Sequence, residues 1–234
     1  MQKVVVSLVL CVLICYLTGC FNMSYFLSKL EGIDIREHGS GNAGGSNTLI
    51  VLGKKKGVFV MLTDIFKAYF AVKFSSYFFS QVPFVSAIAA SAVIIGHIFP
   101  FYMQFKGGKG FASLGGSILA IDYRVFLCLL ILTILICFLT DYICFGPTTI
   151  SLVYPIVYGV MFKSVTYSLI LGISSVCIWY RHIENFKRIR EGTELRFSFL
   201  WNRKSEAERL GIDDDGKNYP FEYDVKKDNK NNIE

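Results

Sequence analysis

Val4 to Leu27 is an apolar run that contains no Asp, Glu, Lys or Arg. It exceeds the roughly 20 residues an α-helix needs to cross a hydrocarbon core. Further apolar stretches follow at about Gly57 to Phe79 (interrupted by Asp64, Lys67 and Lys73), Val82 to Tyr102, Phe111 to Ile121, Val125 to Leu139, Ile150 to Phe162 and Val165 to Tyr180. Backbone that meets lipid must satisfy its own hydrogen bonds, so these stretches read as helices. The expected fold class is therefore all-α, a polytopic membrane helix bundle of about seven transmembrane segments. Phe111 to Ile121 is too short to cross alone and reads as a half-helix. Several others fall short of a full span, which points to tilted or partly buried helices.

Composition agrees with that class, since 53% of the residues are hydrophobic and only 18% charged, too apolar for an ordinary soluble domain. Charge is unevenly placed. From Arg203 onward there are 7 Lys/Arg against 9 Asp/Glu, so the overall +6 leaves +6 − (−2) = +8 on residues 1–202. The chain thus divides into an integral membrane domain over 1–202 and a polar cytoplasmic tail over 203–234. From about Asp213 that tail reads as disordered. Lys29, Arg36, Lys54, Lys55 and Lys56 follow the first span, Lys106 and Lys109 the third, and Arg181, Lys187, Arg188 and Arg190 the last. The positive-inside rule places these segments in the cytoplasm, the N-terminus outside and the C-terminus inside. Cationic flanks also favour anionic headgroups or anionic substrates.

Seven cysteines (11, 15, 20, 128, 137, 144, 177) sit in or beside apolar runs, with no CxxC pair and no zinc-like Cys/His spacing. They read as small buried hydrophobes, and no metal site is expected. Leu17-Thr18-Gly19-Cys20, after Lys3 and an apolar stretch, has the look of a bacterial lipoprotein processing site.

Three glycine-rich polar clusters adjoin the apolar runs: GSGNAGGSN (39–47), FKGGKG (105–110) and ENFKRIREGTE (184–194). Glycine-dense backbone is able to turn successive N–H groups toward one anion, and neighbouring Lys and Arg add charge. In the first cluster, hydroxyls and amides could join such N–H groups, although the GK[ST] ending of a Walker loop is missing. In the second, Lys106 and Lys109 flank a Gly-Gly turn, and a helix starting near Gly110 would aim its N-terminus there. Phe111 stands where a nucleotide loop needs Ser or Thr, which argues against ATP. His97, before Pro100, reads first as a packing histidine. The third cluster supplies His182, Asn185, Arg188, Arg190 and Glu194 at the end of the last span. A basic amphipathic anchor would account for its charges but not for Asn185 or Gly192-Thr193-Glu194. Glu194 reads as a counter-ion to a neighbouring Arg. Acyltransferases that use acyl thioesters commonly carry His followed four residues later by Asp. Here Asn42, Phe101 and Phe186 occupy that spacing after His38, His97 and His182.

Read as GSGNAGGSN, GHIFPFYMQFKGGKG and HIENFKRIREGTE, the three segments together resemble the bacterial acyl-phosphate:glycerol-3-phosphate acyltransferase family, PlsY. Weaker similarity through GIDIREHGSGN, LGKKKG and TDIFKAY links them, from about Tyr16 to Glu194. The resemblance implies a multi-pass enzyme of the bacterial cytoplasmic (inner) membrane with its site facing the cytoplasm. It would transfer a fatty acyl group from acyl phosphate to the 1-hydroxyl of sn-glycerol 3-phosphate, giving 1-acyl-glycerol 3-phosphate (lysophosphatidic acid) and phosphate, the first step of phospholipid synthesis. No cofactor and no nucleic acid enters; the partners would be the two substrates, the lipid bilayer and, functionally, the enzyme that makes acyl phosphate from acyl carrier protein. An acyl phosphate has a good leaving group, so positioning and charge stabilisation suffice without a covalent nucleophile. In the family the donor's own phosphate is thought to take the hydroxyl proton.

By motif match, Ser40, Gly41, Asn42, Ser46 and Asn47 would bind acyl phosphate. Gly107, Gly108, Lys109 and Cys144 would hold glycerol 3-phosphate. His182, Asn185 and Lys109 would form the catalytic group, with Glu194 keeping the third motif folded. Three departures from the family pattern stand out. Ile50 occupies the position of an Arg, with Ser46 for Thr, so a phosphate-binding charge is missing unless Lys54, Lys55 or Arg36 substitutes. Cys144 follows Tyr142-Ile143 where a Ser is usual, exchanging a good donor for a weak one. The third motif lacks the Arg after His182. A rival reading is a polytopic transporter or channel for an organic anion, with Asp64, Lys67 and Lys73 as its pathway. No repeat between the halves of the chain supports it. A catalytically lapsed protein on the same scaffold would rest on Ile50 and Cys144.

Overall fold

The computed structural model of the chain describes residues 2–210. Among the described residues there are helices and short 3-10 turns and no strand. Two compact units form. The first comprises residues 2–22 and 62–197; the second comprises 23–61 together with 198–210.

The first unit holds α1 (Gln2–Cys20), most of α4 (Lys54–Phe78), α5 (Val85–Ile98), α6 (Phe111–Ile121), α7 (Tyr123–Thr140), α8 (Phe145–Met161) and α9 (Val165–Arg190). The second holds α2 (Met23–Leu30), α3 (Gly45–Val51), the start of α4, and α10 (Arg203–Leu210). Among the described residues, three stretches are long and apolar enough to cross a membrane: Gln2–Leu30, Val85–Met103 and Tyr123–Thr140; α6 and α8 are apolar but shorter. Exposed Val5, Val9, Phe70, Ile131, Leu139, Val165 and Val176 present the apolar surface such helices offer to lipid.

Helix α5 is the centre of the first unit, packed against α1, α6 and α9. Its buried Ala87, Ala89, Ala90, Ser91, Ala92 and Gly96 make that possible, because without a hydrophobic force in lipid, helices associate by close backbone approach at small residues. A Cβ on Gly19 would lie 2.2 Å from the Val93 carbonyl oxygen, and one on Gly96 would lie 2.1 Å from that of Tyr16. The apparent lipoprotein signal is thus the point where α1 crosses α5, with Cys20 buried at the helix end.

Several buried polar groups between the helices of the first unit find partners on a neighbouring helix. Pro155 inside α8 has no N–H to give the Ser151 carbonyl, and Ser175 of α9 supplies the missing donor at 2.5 Å. Tyr154 donates to the Leu171 carbonyl at 2.9 Å, Tyr158 to that of Ile118 at 3.1 Å and Ser91 to that of Ile170 at 2.7 Å.

The helices depart from the apolar runs at their ends. Val4 to Leu27 is two helices, broken at Phe21 and Asn22. Helix α4 begins at Lys54, α8 at Phe145, and α9 continues past Tyr180 to Arg190. An apolar run reports contact with lipid, whereas a helix ends only where caps or turns stop it. Of the tail, Arg203–Leu210 is helical, with Arg209 paired to Glu206 at 2.5 Å; the segment from Asp213 lies outside the described residues.

Candidate active site

The first motif lies in the second unit. Gly39 and Gly41 take left-handed backbone, φ +60° and +68°, which wraps the chain around Asn47. Asn47 accepts the Ser40 N–H at 2.8 Å and donates to the carbonyls of His38 at 2.9 Å and Ile35 at 3.1 Å. With its amide fully used, Asn47 holds the loop in shape. Ser46 is exposed on the first turn of α3, Ser40 and Gly41 are half-buried, and the side-chain oxygen of Asn42 is buried without a donor. A buried carbonyl oxygen left unpaired is costly. Arg36 is committed elsewhere. Its guanidinium grips Asp34 through Nε and Nη2, at 3.0 and 2.8 Å, and lies over the Tyr25 ring. That grip, aided by Lys29 at 3.1 Å, holds the Asp34 carboxyl well below the usual range. Ile50 is half-buried in α3, while Lys54 and Lys55 stand exposed.

The second and third motifs meet in the first unit. After α5 the chain makes a 3-10 turn at Phe101–Met103 and returns antiparallel to the helix end. Gly107 donates its N–H to the Ile98 carbonyl at 3.0 Å, and Gly108 donates to that of His97 at 3.2 Å. The Gly-Gly step therefore spends its own N–H groups on α5 rather than offering them to an anion. Gly110, at φ +86°, caps α6. Lys109 between them reaches the side-chain oxygen of Asn185 on α9. Asn185 in turn donates to Glu194 at 2.5 Å, and Glu194 pairs with Arg188 at 2.6 Å. Gly192, at φ +73°, folds the chain back so that Thr193 and Glu194 close on the Arg188 carbonyl at 2.8 and 3.2 Å. Arg181 ties the two motifs a second time, donating to the Gly107 carbonyl at 3.1 Å.

Burial, then the nearby Arg188, pulls the Lys109 ammonium down to about 8. Buried His182 donates from Nδ1 to the Ile178 carbonyl at 2.8 Å, which leaves Nε2 as an acceptor in the neutral ring. Cys144 heads α8 and is buried, and burial, reinforced by Glu194, pushes its thiol up to about 12. It is a thiol, not a thiolate, at any ordinary pH.

The charges a transport pathway would need are closed on one another. Lys67 lies 2.8 Å from Asp64, and His97 Nδ1 lies 3.3 Å from the same carboxylate oxygen. Lys67 also donates to the carbonyls of Gly19 at 3.1 Å and Phe21 at 2.6 Å, satisfying the broken end of α1. Lys73 lies over the Tyr69 ring. In the sequence Asp64 and Lys67 interrupt an apolar run and suggest a transport pathway. The one sign there that they pair with each other is their i,i+3 spacing, which puts both on one helix face.

An all-helical integral membrane protein with a cationic, amide-linked polar cluster at the end of its bundle is the class this fold and site define. Residues 9–192 match the family described as glycerol-3-phosphate acyltransferase. The glycerol-3-phosphate acyltransferase 1 of Oceanobacillus iheyensis is 38% identical over 197 residues, covering 81% of this chain and 95% of that one. The glycerol-3-phosphate acyltransferase of Geobacillus kaustophilus is 34% identical, covering 79% and 93%. The crystal structure of PlsY, an integral membrane glycerol 3-phosphate acyltransferase, in its glycerol 3-phosphate form superposes with a TM-score of 0.76 at 30% identity, covering 83% of this chain and 97% of that one. Its lysophosphatidic acid form gives 0.73 at 29% identity over the same shares. The chain belongs to the PlsY family of glycerol-3-phosphate acyltransferases.

Proposed function

We propose that the protein transfers a fatty acyl group from acyl phosphate to the 1-hydroxyl of glycerol 3-phosphate, releasing lysophosphatidic acid and inorganic phosphate. The observation that carries this reading is the line of contacts from Lys109 through Asn185 to Glu194 and Arg188, which joins two motifs 76 residues apart at one cationic point. Both substrates are phosphates, and a partly buried ammonium beside an oriented amide is a fitting anchor for one of them. The glycerol 3-phosphate and lysophosphatidic acid forms of the related crystal structure support a site for that substrate and product.

In this reading Lys109 binds the glycerol phosphate, with Cys144 and the shape of the Gly107-Gly108 turn beside it. Ser40, Gly41, Asn42 and Ser46 receive the acyl phosphate on a loop that Asn47 holds. The glycerol hydroxyl attacks the acyl carbon, the bond from that carbon to the phosphate oxygen breaks, and the departing phosphate carries off the hydroxyl proton. His182 Nε2 and Asn185 orient the hydroxyl, while Glu194 keeps Asn185 in place. No covalent enzyme intermediate is required. We further propose seven membrane segments, an outside N-terminus and a site on the cytoplasmic face of the inner membrane. Cysteines placed at exposed Ser46, Lys106 and Arg190 should resist labelling from outside the cell. Labelling at two of the three would overturn that topology.

The deciding assay supplies the purified protein with glycerol 3-phosphate and either acyl phosphate or acyl-CoA. Turnover with acyl phosphate and essentially none with acyl-CoA is expected. Comparable rates with both donors would sink the donor assignment.

A further inference from the structure

We propose that Asp64 and Lys67, which lie outside all three motifs, are positioning residues for the glycerol 3-phosphate loop and act on it through His97. The proposal rests on the reading above, in which that loop binds glycerol 3-phosphate.

His97 is held from one side by α4. Its Nδ1 lies 3.0 Å from Lys67 Nζ and 3.3 Å from Asp64 Oδ1, and those two side chains are 2.8 Å apart. All three residues are buried. Lys67 is itself fixed by the Gly19 and Phe21 carbonyls, so the ring is referenced to α1 and α4 together. The opposite edge of the ring meets the Gly-Gly turn. A Cβ on Gly108 would fall 2.1 Å from His97 Nε2, 2.8 Å from Cε1 and 3.0 Å from Cδ2. A Cβ on Gly107 would fall 2.2 Å from the His97 carbonyl oxygen and 2.6 Å from Pro100 Cδ. Ring and carbonyl thus form a mould that admits only glycine at both positions. The next residue along is Lys109, whose reach to Asn185 depends on where the turn sits.

A buried ion pair is a poor way to hold helices together, since apolar side chains of similar volume commonly do it as well. Within an apolar bundle such a pair is costly, and its use here is geometric: two polar groups at Nδ1 fix one ring orientation where apolar packing would leave the ring free to turn. The groups that face His97 are Asp64 and Lys67 of α4, the turn at Gly107-Gly108, and the Arg181 charge on α9.

The mould and a direct phosphate contact both predict that Gly108→Ala weakens glycerol 3-phosphate binding. Only the mould predicts rescue from the other side. His97→Asn keeps a polar atom near the position of Nδ1 for Asp64 and Lys67 and removes the ring edge that Gly108 meets. With the full chain in detergent and acyl phosphate saturating, Gly108→Ala should raise the glycerol 3-phosphate KM by about tenfold or more, as expected for side chains in direct conflict. The Gly108→Ala/His97→Asn double variant should return to within about threefold of His97→Asn alone, the near-additive limit. A double variant no better than Gly108→Ala would overturn the proposal. Asp64→Asn is an independent arm: recovered at normal yield, it should raise the glycerol 3-phosphate KM and leave that for acyl phosphate unchanged. Unaltered kinetics, or equal losses for both substrates, would overturn the positioning role. If that variant does not fold, the His97–Gly108 cycle decides alone. A wild-type chain inactive on both substrates would refute the parent reading instead, and the same cycle read in Tm would still test the mould.

Discussion

Asn185 donates its side-chain amide to Glu194, nine residues further on, at 2.5 Å, and with that bond the end of α9 is folded back onto itself. The second carboxylate oxygen of Glu194 takes Arg188 at 2.6 Å, so one acid orients both an amide and a guanidinium. Asn185 thus stands between Glu194, to which it donates, and Lys109, from which it accepts.

Replacing Glu194 with Gln keeps the volume and removes the charge. Charge-assisted hydrogen bonds of this kind contribute about 1.5–3 kcal/mol. We expect a lower Tm and a fall in kcat at least as large as the rise in either KM, measured by steady-state kinetics in detergent. Wild-type kinetics with a lowered Tm would reduce Glu194 to a purely structural role.

Lys109 sets a pH limit. Its pKa is lowered to about 8, so in the free enzyme the ammonium is present below that pH and lost above it. If the ammonium binds glycerol 3-phosphate, kcat/KM for that substrate should decline as pH rises through about 8. Lys109→Ala should abolish that limb and raise the glycerol 3-phosphate KM, with a loss of about 1.5–3 kcal/mol. A pH profile identical in wild type and Lys109→Ala would remove the lysine from binding.

Cys144 carries a prediction of improvement. Its thiol stays protonated and is a weak donor. Cys144→Ser restores a stronger donor at nearly the same volume, and the KM for glycerol 3-phosphate should fall. An unchanged or raised KM would mean that the thiol packs rather than binds.

At the crossing of α1 and α5 there is no room for side chains. Gly96→Ala would put a methyl 2.1 Å from the Tyr16 carbonyl and force the helices apart. Overpacking of this type costs about 1–3 kcal/mol, which thermal unfolding in detergent would register. Cys20→Ser, by contrast, should leave membrane insertion intact, and a variant released from the membrane would revive the lipoprotein reading.

Apolar run length and the placement of Lys and Arg were sufficient to specify an all-helical membrane protein. Spacing within three glycine clusters identified its family, because both signals are local: lipid demands apolar side chains, and tight turns demand glycine. Residues such as Lys109, Asn185 and Glu194 could be picked out as candidates for the same reason. What they touch was not legible, since contacts across 76 residues depend on how helices pack and not on neighbours in the chain. The same limit hid the reason for Gly108, which is the edge of a histidine ring, and for Gly19, which is a carbonyl of α5. It also hid the purpose of Asp64 and Lys67. Two charges in an apolar run suggest a pathway through the membrane until the tertiary structure closes them on each other and on His97. Sequence fixes which groups must be hidden from lipid, but only packing decides which partner hides them.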